Sequence, residues 1–161
     1  MPLAPPPPLV APPSLAHVCD LSVAVAQPLS IGDIGTGERR VVEITGGEVT
    51  GPRLSGRVLP GGADVQIIRP GGETELAARY VIEAGDGALI YVENIGLRNG
   101  PPEAMDRLRR GEPVDPGLIY FCSTPRFETA APAHRWLMRR VFVAMGRRLP
   151  TRVVLSVFEV A

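Results

Sequence analysis

The stretch TGGEVTGPRLSGRVLPGGADVQIIRPGG, residues 45–72, sets eight glycines and three prolines between short apolar runs. It decides between a nucleotide fold, where glycines cradle phosphate at the start of a helix, and an all-β fold, where they turn corners. GPRLSGRV, residues 51–58, has the glycine spacing of a P-loop but places Arg57 and Val58 where Lys and Ser or Thr are needed. GDIGTG, residues 32–37, reverses the dinucleotide fingerprint and runs into ERRVVEIT, which has strand character. Neither phosphate motif holds, so the glycines are read as hairpin turns and bulges that supply positive φ.

The segments between the glycines agree with this reading. RRVVEIT, ADVQIIR, TELAARYVIEA and GALIYVENI are of strand length and rich in Val, Ile and Tyr. GDG at 85–87 is a hairpin signal. AHVCDLSVAVA precedes them, and GLIYFCS, RRVFVAMG and TRVVLSVFEVA follow, with TPRFETAAPAHRWLM read as irregular. PPEAMDRLRRG opens on Pro and closes on Gly, which predicts one short surface helix over Pro102–Arg110. The expected fold is all-β: a single antiparallel β-barrel of about nine or ten strands over residues 15–161, with one short surface helix. Residues 1–14, dense in proline, are expected to form a flexible tail. A proline-rich adaptor role would need only that tail.

The 161 residues suit one domain, with mean hydropathy +0.12. Seventeen basic residues balance seventeen acidic ones, which argues against nucleic acid and anionic membranes as partners. Every basic residue is Arg, so Schiff-base chemistry on Lys is excluded. The prolines of MPLAPPPPLVAPPSLAHV forbid a spanning helix, and no basic segment precedes its apolar part. Cys19 and Cys122 sit in apolar runs and read as reduced, buried thiols, consistent with a cytoplasmic protein. His17 and His134 make no metal-ligand spacing and no CxxC occurs, so neither metal nor cofactor is expected. None of the six serines lies in a GxSxG elbow. The runs RRVFVAMG and TRVVLSVFEVA are apolar beyond strict alternation, which predicts a homo-oligomer.

TGGEVTGPRLSGRVLPGGAD (45–64), ARYVIEAGDGALIYVENIGLR (78–98), YFCSTPRFET (120–129) and WLM (136–138) together resemble the DUF3237 family, also called uncharacterised protein family 0311. The resemblance covers nearly the whole chain after the tail. It implies a single β-barrel-like domain and no settled activity. Val65 and Met138 depart from it, standing where an aromatic and an Asn are common.

Six residues from these blocks are expected to converge on one cavity. Glu128, beside Phe127 and near His134, is the expected proton donor or acceptor, its charged form disfavoured by apolar walls. Asp64 is a second carboxylate or the partner of Arg79. Arg79 and Asn94 would hold a carbonyl or enolate oxygen. Tyr91 and Trp136 would supply a hydrogen bond and a stacking face. The expected function is a small-molecule-binding barrel performing cofactor-free isomerisation, cyclisation or elimination on an apolar, aromatic or polyketide-like molecule. The alternative is a non-catalytic binding or structural homo-oligomeric module.

Overall fold

The computed structural model describes Met1 and residues 4–161; Pro2 and Leu3, part of the proline-rich stretch, lie outside the described residues. Residues 4–13 are exposed and carry neither helix nor strand. Ser14 already belongs to the barrel, exchanging backbone hydrogen bonds of 2.8 and 2.9 Å with Ala161.

Ten strands follow: β1 (Leu15–Val25), β2 (Leu29–Asp33), β3 (Glu38–Thr50), β4 (Gly56–Val58), β5 (Gly62–Ile68), β6 (Thr74–Ala84), β7 (Leu89–Asn99), β8 (Tyr120–Glu128), β9 (Val141–Arg148) and β10 (Arg152–Val160). Every pairing is antiparallel. The order β1-β10-β9-β8-β7-β6-β4-β3 closes on itself through β1 and β3, giving an eight-strand barrel with β2 and β5 as additional strands. The helix α1 (Pro102–Arg109) lies between β7 and β8. Its charges face solvent while Ala104, Met105 and Leu108 are buried. The segment read as irregular contains the end of β8 and a 3₁₀ helix, Pro132–Arg139.

The opening stretch behaves in two ways. Gly61, Gly71 and Gly72 have positive φ around the β4–β5 and β5–β6 connections. The expected turn at Gly46–Gly47 is instead the interior of β3, which runs through it. There the strand changes partners: residues 38–44 pair with β5 and residues 47–49 with β4. At Gly47, φ is +150° and a Cβ would stand 2.3 Å from the carbonyl oxygen of Ser22, so only glycine lets β1 and β3 meet where the barrel closes.

The core is not uniform along the barrel axis. At the end closed by the 3₁₀ helix Pro132–Arg139, Phe127, Phe142, Leu137, Ile90, Val92 and Ile82 fill the interior. Phe142 meets Phe127 edge-on with ring centroids 5.1 Å apart, and Trp136 at 5.9 Å. Glu159, buried at this end, is paired with Arg53 and, at 3.3 Å, with Arg140; the Arg53 guanidinium also lies 4.1 Å from the Trp136 ring centre. Toward the end carrying α1, the inward positions become polar.

Candidate active site

Strand register builds a polar chamber. One inner rung runs Val42, Asp64, Ala78, Asn94 across β3, β5, β6 and β7. The next runs Arg40, Gln66, Leu76, Gly96, Ser123 and reaches β8. Arg98 stands one rung further, opposite Thr74 and Phe121. Arg148, at the end of β9, also lines the chamber. Ala78 is small on this face, and Gly96 lets β7 approach β8 closely: a Cβ there would lie 2.8 Å from that of Ser123. The space, partly open, is about 40 Å³, enough for about three water molecules. Val23, Val42, Leu76, Tyr80, Phe121 and Leu155 form its apolar wall.

Among the described residues, Asp64 is the one carboxylate on this lining. Its Oδ2 accepts from the Gln66 amide at 2.8 Å and its Oδ1 from the Ala77 backbone N–H at 3.1 Å. Burial nonetheless raises its pKa above the ordinary carboxylate value; the two hydrogen bonds and the charges of Arg98 and Arg148 offset this only in part. Burial pushes Arg98 down to about 10, aided by the like charges of Arg148 and Arg40. It remains a cation at neutral pH. Burial also lowers Arg148, and raises the phenol of Tyr80 well above its ordinary value.

Three buried polar atoms on this lining have no hydrogen-bond partner among the described residues: Asn94 Oδ1, Arg98 Nε and Ser123 Oγ. Their residues are 7, 6 and 5% exposed. Such atoms cost about 1–3 kcal/mol each when left unpaired, so three on one wall mark a place built for something other than stability.

α1 and its flanking loops cover this end. A groove of about 420 Å³ separates α1 from the β2–β3 and β5–β6 turns, lined in part by Ile68, Pro70, Met105 and Leu108, and Arg98 forms part of its wall too. Arg40 donates from Nη1 to the carbonyl of Arg109 at 3.3 Å, which ties the last turn of α1 to the barrel.

Of the six expected site residues, Asp64 and Asn94 meet in the chamber. The other four do not join them. Arg79 points outward on β6 and pairs with Glu93 at 3.0 Å across exposed surface. Tyr91 and Glu128 are cross-strand neighbours on the outer wall. Glu128 is exposed, so the apolar walls expected around it are absent. Trp136 is half-buried in the opposite, apolar end. The cause is alternation: Tyr80, not Arg79, continues the inward face of β6, and Ile90 and Val92 rather than Tyr91 and Glu93 begin that of β7.

Val65 lines an outer groove and Met138 is exposed, so neither departure from the family pattern touches the chamber. His134 is largely covered and bonded to Asp86 at 2.8 Å. Both cysteines are free. Cys19 is buried, its thiol pushed up to about 12 chiefly by burial; Cys122 is only partly buried on the outer wall, its Sγ 3.1 Å from the Met145 sulfur. Among the described residues no three His, Cys, Asp or Glu side chains gather as metal ligands, and no helix is long and apolar enough to cross a membrane.

The reading from sequence missed Arg98, Arg148 and Ser123 on the lining, and Gln66 and Arg40 beside it. A signal was present in β7, where every second residue reads Ile90, Val92, Asn94, Gly96, Arg98. An apolar inward face turned polar partway along marks a strand that leaves a core and enters a cavity.

The family model described as "Protein of unknown function (DUF3237)" matches residues 13–160. A UPF0311 protein of Rhodopseudomonas palustris is 51% identical over 144 residues, 89% of this chain and 94% of that protein. Among solved structures, a conserved protein of unknown function from Rhodopseudomonas palustris superposes with TM-score 0.89 at 47% identity, covering 94% of this chain and 100% of that one. A beta-barrel like protein from Acinetobacter baumannii does so with TM-score 0.82 at 36% identity, covering 99% and 100%. An enzyme from Penicillium herquei shares the fold alone, with TM-score 0.71 at 18% identity over 99% of this chain and 100% of that one. A model match across nearly the whole barrel, with relatives at this identity and coverage, makes the chain a member of the DUF3237 (UPF0311) family.

Proposed function

We propose that the protein binds a small organic molecule in the polar chamber and moves a proton on it without a cofactor, as an isomerase of enolisable oxo compounds. The observation that supports this is Asp64: a desolvated carboxylate of raised pKa, facing unpaired Asn94, Ser123 and Arg98 atoms. Asp64 takes the proton from carbon beside a carbonyl. The C–H electron pair becomes the C=C bond, and the carbonyl π pair moves onto oxygen. Arg98 and Arg148 stabilise that oxygen's charge, and protonated Asp64 returns the proton at another atom. The catalytic assignment thus moves from Glu128 to Asp64.

Phenylpyruvate enol–keto interconversion, followed by ultraviolet absorbance, is the test. Asp64→Asn is expected to lower turnover by about 10²–10⁴-fold with the fold retained. Turnover unchanged by Asp64→Asn rejects the mechanism; no turnover across a panel of oxo acids gives the binding-module reading the lead.

A second reading concerns assembly. Ile95, Leu97, Tyr120, Val141 and Met145 leave an apolar strip, each residue 45–66% exposed, on the outer wall. We propose that a second copy covers it, which a monomer mass in light scattering at micromolar concentration would refute.

A further inference from the structure

The charges around the chamber do not balance. Arg40, Arg98 and Arg148 gather at the α1 end, and none forms an ion pair among the described residues. Arg40 and Arg98 are only 9 and 6% exposed. The nearby Glu38 is engaged by Arg109 at 3.5 Å and by the Ser30 hydroxyl at 2.8 Å. Asp64 forms no ion pair with a guanidinium among the described residues, and each of its oxygens already accepts one hydrogen bond, from Gln66 and from Ala77. Burial pushes it toward the neutral acid, which would leave the excess of positive charge larger still. Arg148 is partly buried; like-charged guanidiniums brought together largely out of water are costly unless an anion joins them.

The unpaired atoms define the rest of the ligand. Arg98 Nε can only donate, so it needs an acceptor, and the guanidinium fork fits the two oxygens of a carboxylate. Asn94 Oδ1 can only accept, so it needs an O–H or N–H. The Ser123 hydroxyl serves either need. Facing them is the apolar wall of Val23, Val42, Leu76, Tyr80 and Phe121. We infer that the chamber is a receptor for an organic carboxylate that carries a hydroxyl or enol donor beside its anionic group and an apolar body behind it. This deepens the proposed function and rests on the chamber being its site.

The chamber, about 40 Å³ and partly open, takes the anionic head of such a molecule and little more. Arg98 lies between it and the 420 Å³ groove beneath α1, bordering both. An acid held at Arg98 therefore sits at the boundary of the two spaces, with the groove available to a larger body.

Titration calorimetry with three commercial compounds tests this on the full chain. Salicylate has the carboxylate, the hydroxyl and the ring; benzoate lacks the hydroxyl; salicylamide lacks the charge. Salicylate is expected to bind at least tenfold more tightly than salicylamide, and more tightly than benzoate. Arg98→Gln and Arg148→Gln are each expected to weaken salicylate at least tenfold, whereas Arg79→Gln, on the outer wall, leaves it unchanged. Arg148→Gln decides the matter if Arg98→Gln does not fold. Equal binding of salicylate and salicylamide overturns the anion receptor while leaving the chamber as a site. Salicylate binding indifferent to both chamber arginines overturns it as well. If phenylpyruvate is turned over but salicylate does not bind, this inference falls alone; if neither happens, the proposed function falls with it.

Discussion

The two ends of the barrel treat buried charge in opposite ways. At the end closed by Pro132–Arg139, one buried carboxylate, Glu159, meets two arginines, and one of those also stacks on Trp136. The buried charge there is paired, and the arginines without a partner, Arg135 and Arg139, are exposed to solvent. At the α1 end, three arginines stand without a carboxylate within ion-pair distance, and three buried polar atoms are left unpaired. Both ends belong to the same strands, often to the same inward face. Paired charge at one end is compatible with architecture alone, because the pair repays its own desolvation. Unpaired charge at the other lowers stability, and such a cost is tolerated where a ligand is to be held.

This contrast is broken most directly by cutting into the apolar end. Phe142, 2% exposed and packed edge-on against Phe127, is expected to cost about 3–5 kcal/mol when changed to Ala. For a chain of this length that is a fall in Tm on the order of 10 °C. A fall of only a degree or two in calorimetry would mean that this end is no firmer than the other, and the comparison would collapse.

The ends should also differ in how pH acts on them. Asp64 has a folded pKa raised above its unfolded value of about 3.9. The fold therefore favours the protonated acid: its contribution is complete below about pH 4 and is lost as pH rises through the folded pKa. Cys19, at the apolar end, obeys the same sign in a different window, keeping its contribution below the ordinary thiol value and losing it as pH climbs toward about 12. Asp64→Asn should flatten the acid-to-neutral decline and Cys19→Ala part of the alkaline one. Denaturant titrations at a series of pH values read both. An acid-to-neutral slope identical in wild type and Asp64→Asn would show that the chamber does not desolvate its carboxylate.

How much of this was legible in the sequence follows from the same axis. The barrel was, because glycines, prolines and alternating β-branched residues are local signals. The apolar end was legible only in part: Phe142 sits in the apolar run RRVFVAMG, whereas Phe127 lies between Arg126 and Glu128 in a segment read as irregular. The chamber was legible only at Asp64 and Asn94, which the family blocks brought forward. Asp64 and Asn94 share a rung only through a register set by the whole ring of strands, and no local pattern places residues thirty positions apart on one wall. Arg79, Tyr91 and Glu128 drew notice as polar groups beside apolar ones, yet alternation around the buried Tyr80 and Val92 puts them outside. Charge type misleads in a strand, whereas the phase of the apolar residues does not.

A smaller effect is expected from removing one unpaired atom. Ser123→Ala deletes a hydroxyl with no partner at a 5% exposed site and leaves the chamber otherwise intact. Stability should stay within about 1 kcal/mol of wild type or rise, because the desolvated group was costing free energy. A loss above about 2 kcal/mol in urea titration would show that the hydroxyl is satisfied in solution and belongs to the structure.

The smallest effect is reserved for the outer wall. Arg79 and Glu93 form an ion pair 3.0 Å apart, but both side chains are well exposed, at 54 and 34%. Water and salt screen such a pair, so Arg79→Ala should cost less than about 1 kcal/mol, and less again at high ionic strength. Glu128→Gln should do still less, since Glu128 makes no ion pair among the described residues and projects from the outer face of β8 opposite Tyr91. Neither change should alter phenylpyruvate turnover or salicylate affinity, because the strand backbone separates both residues from the chamber. A tenfold loss of turnover in Glu128→Gln, with Tm unchanged, would return catalysis to the outside of the barrel and make the chamber's unpaired atoms a feature without a use.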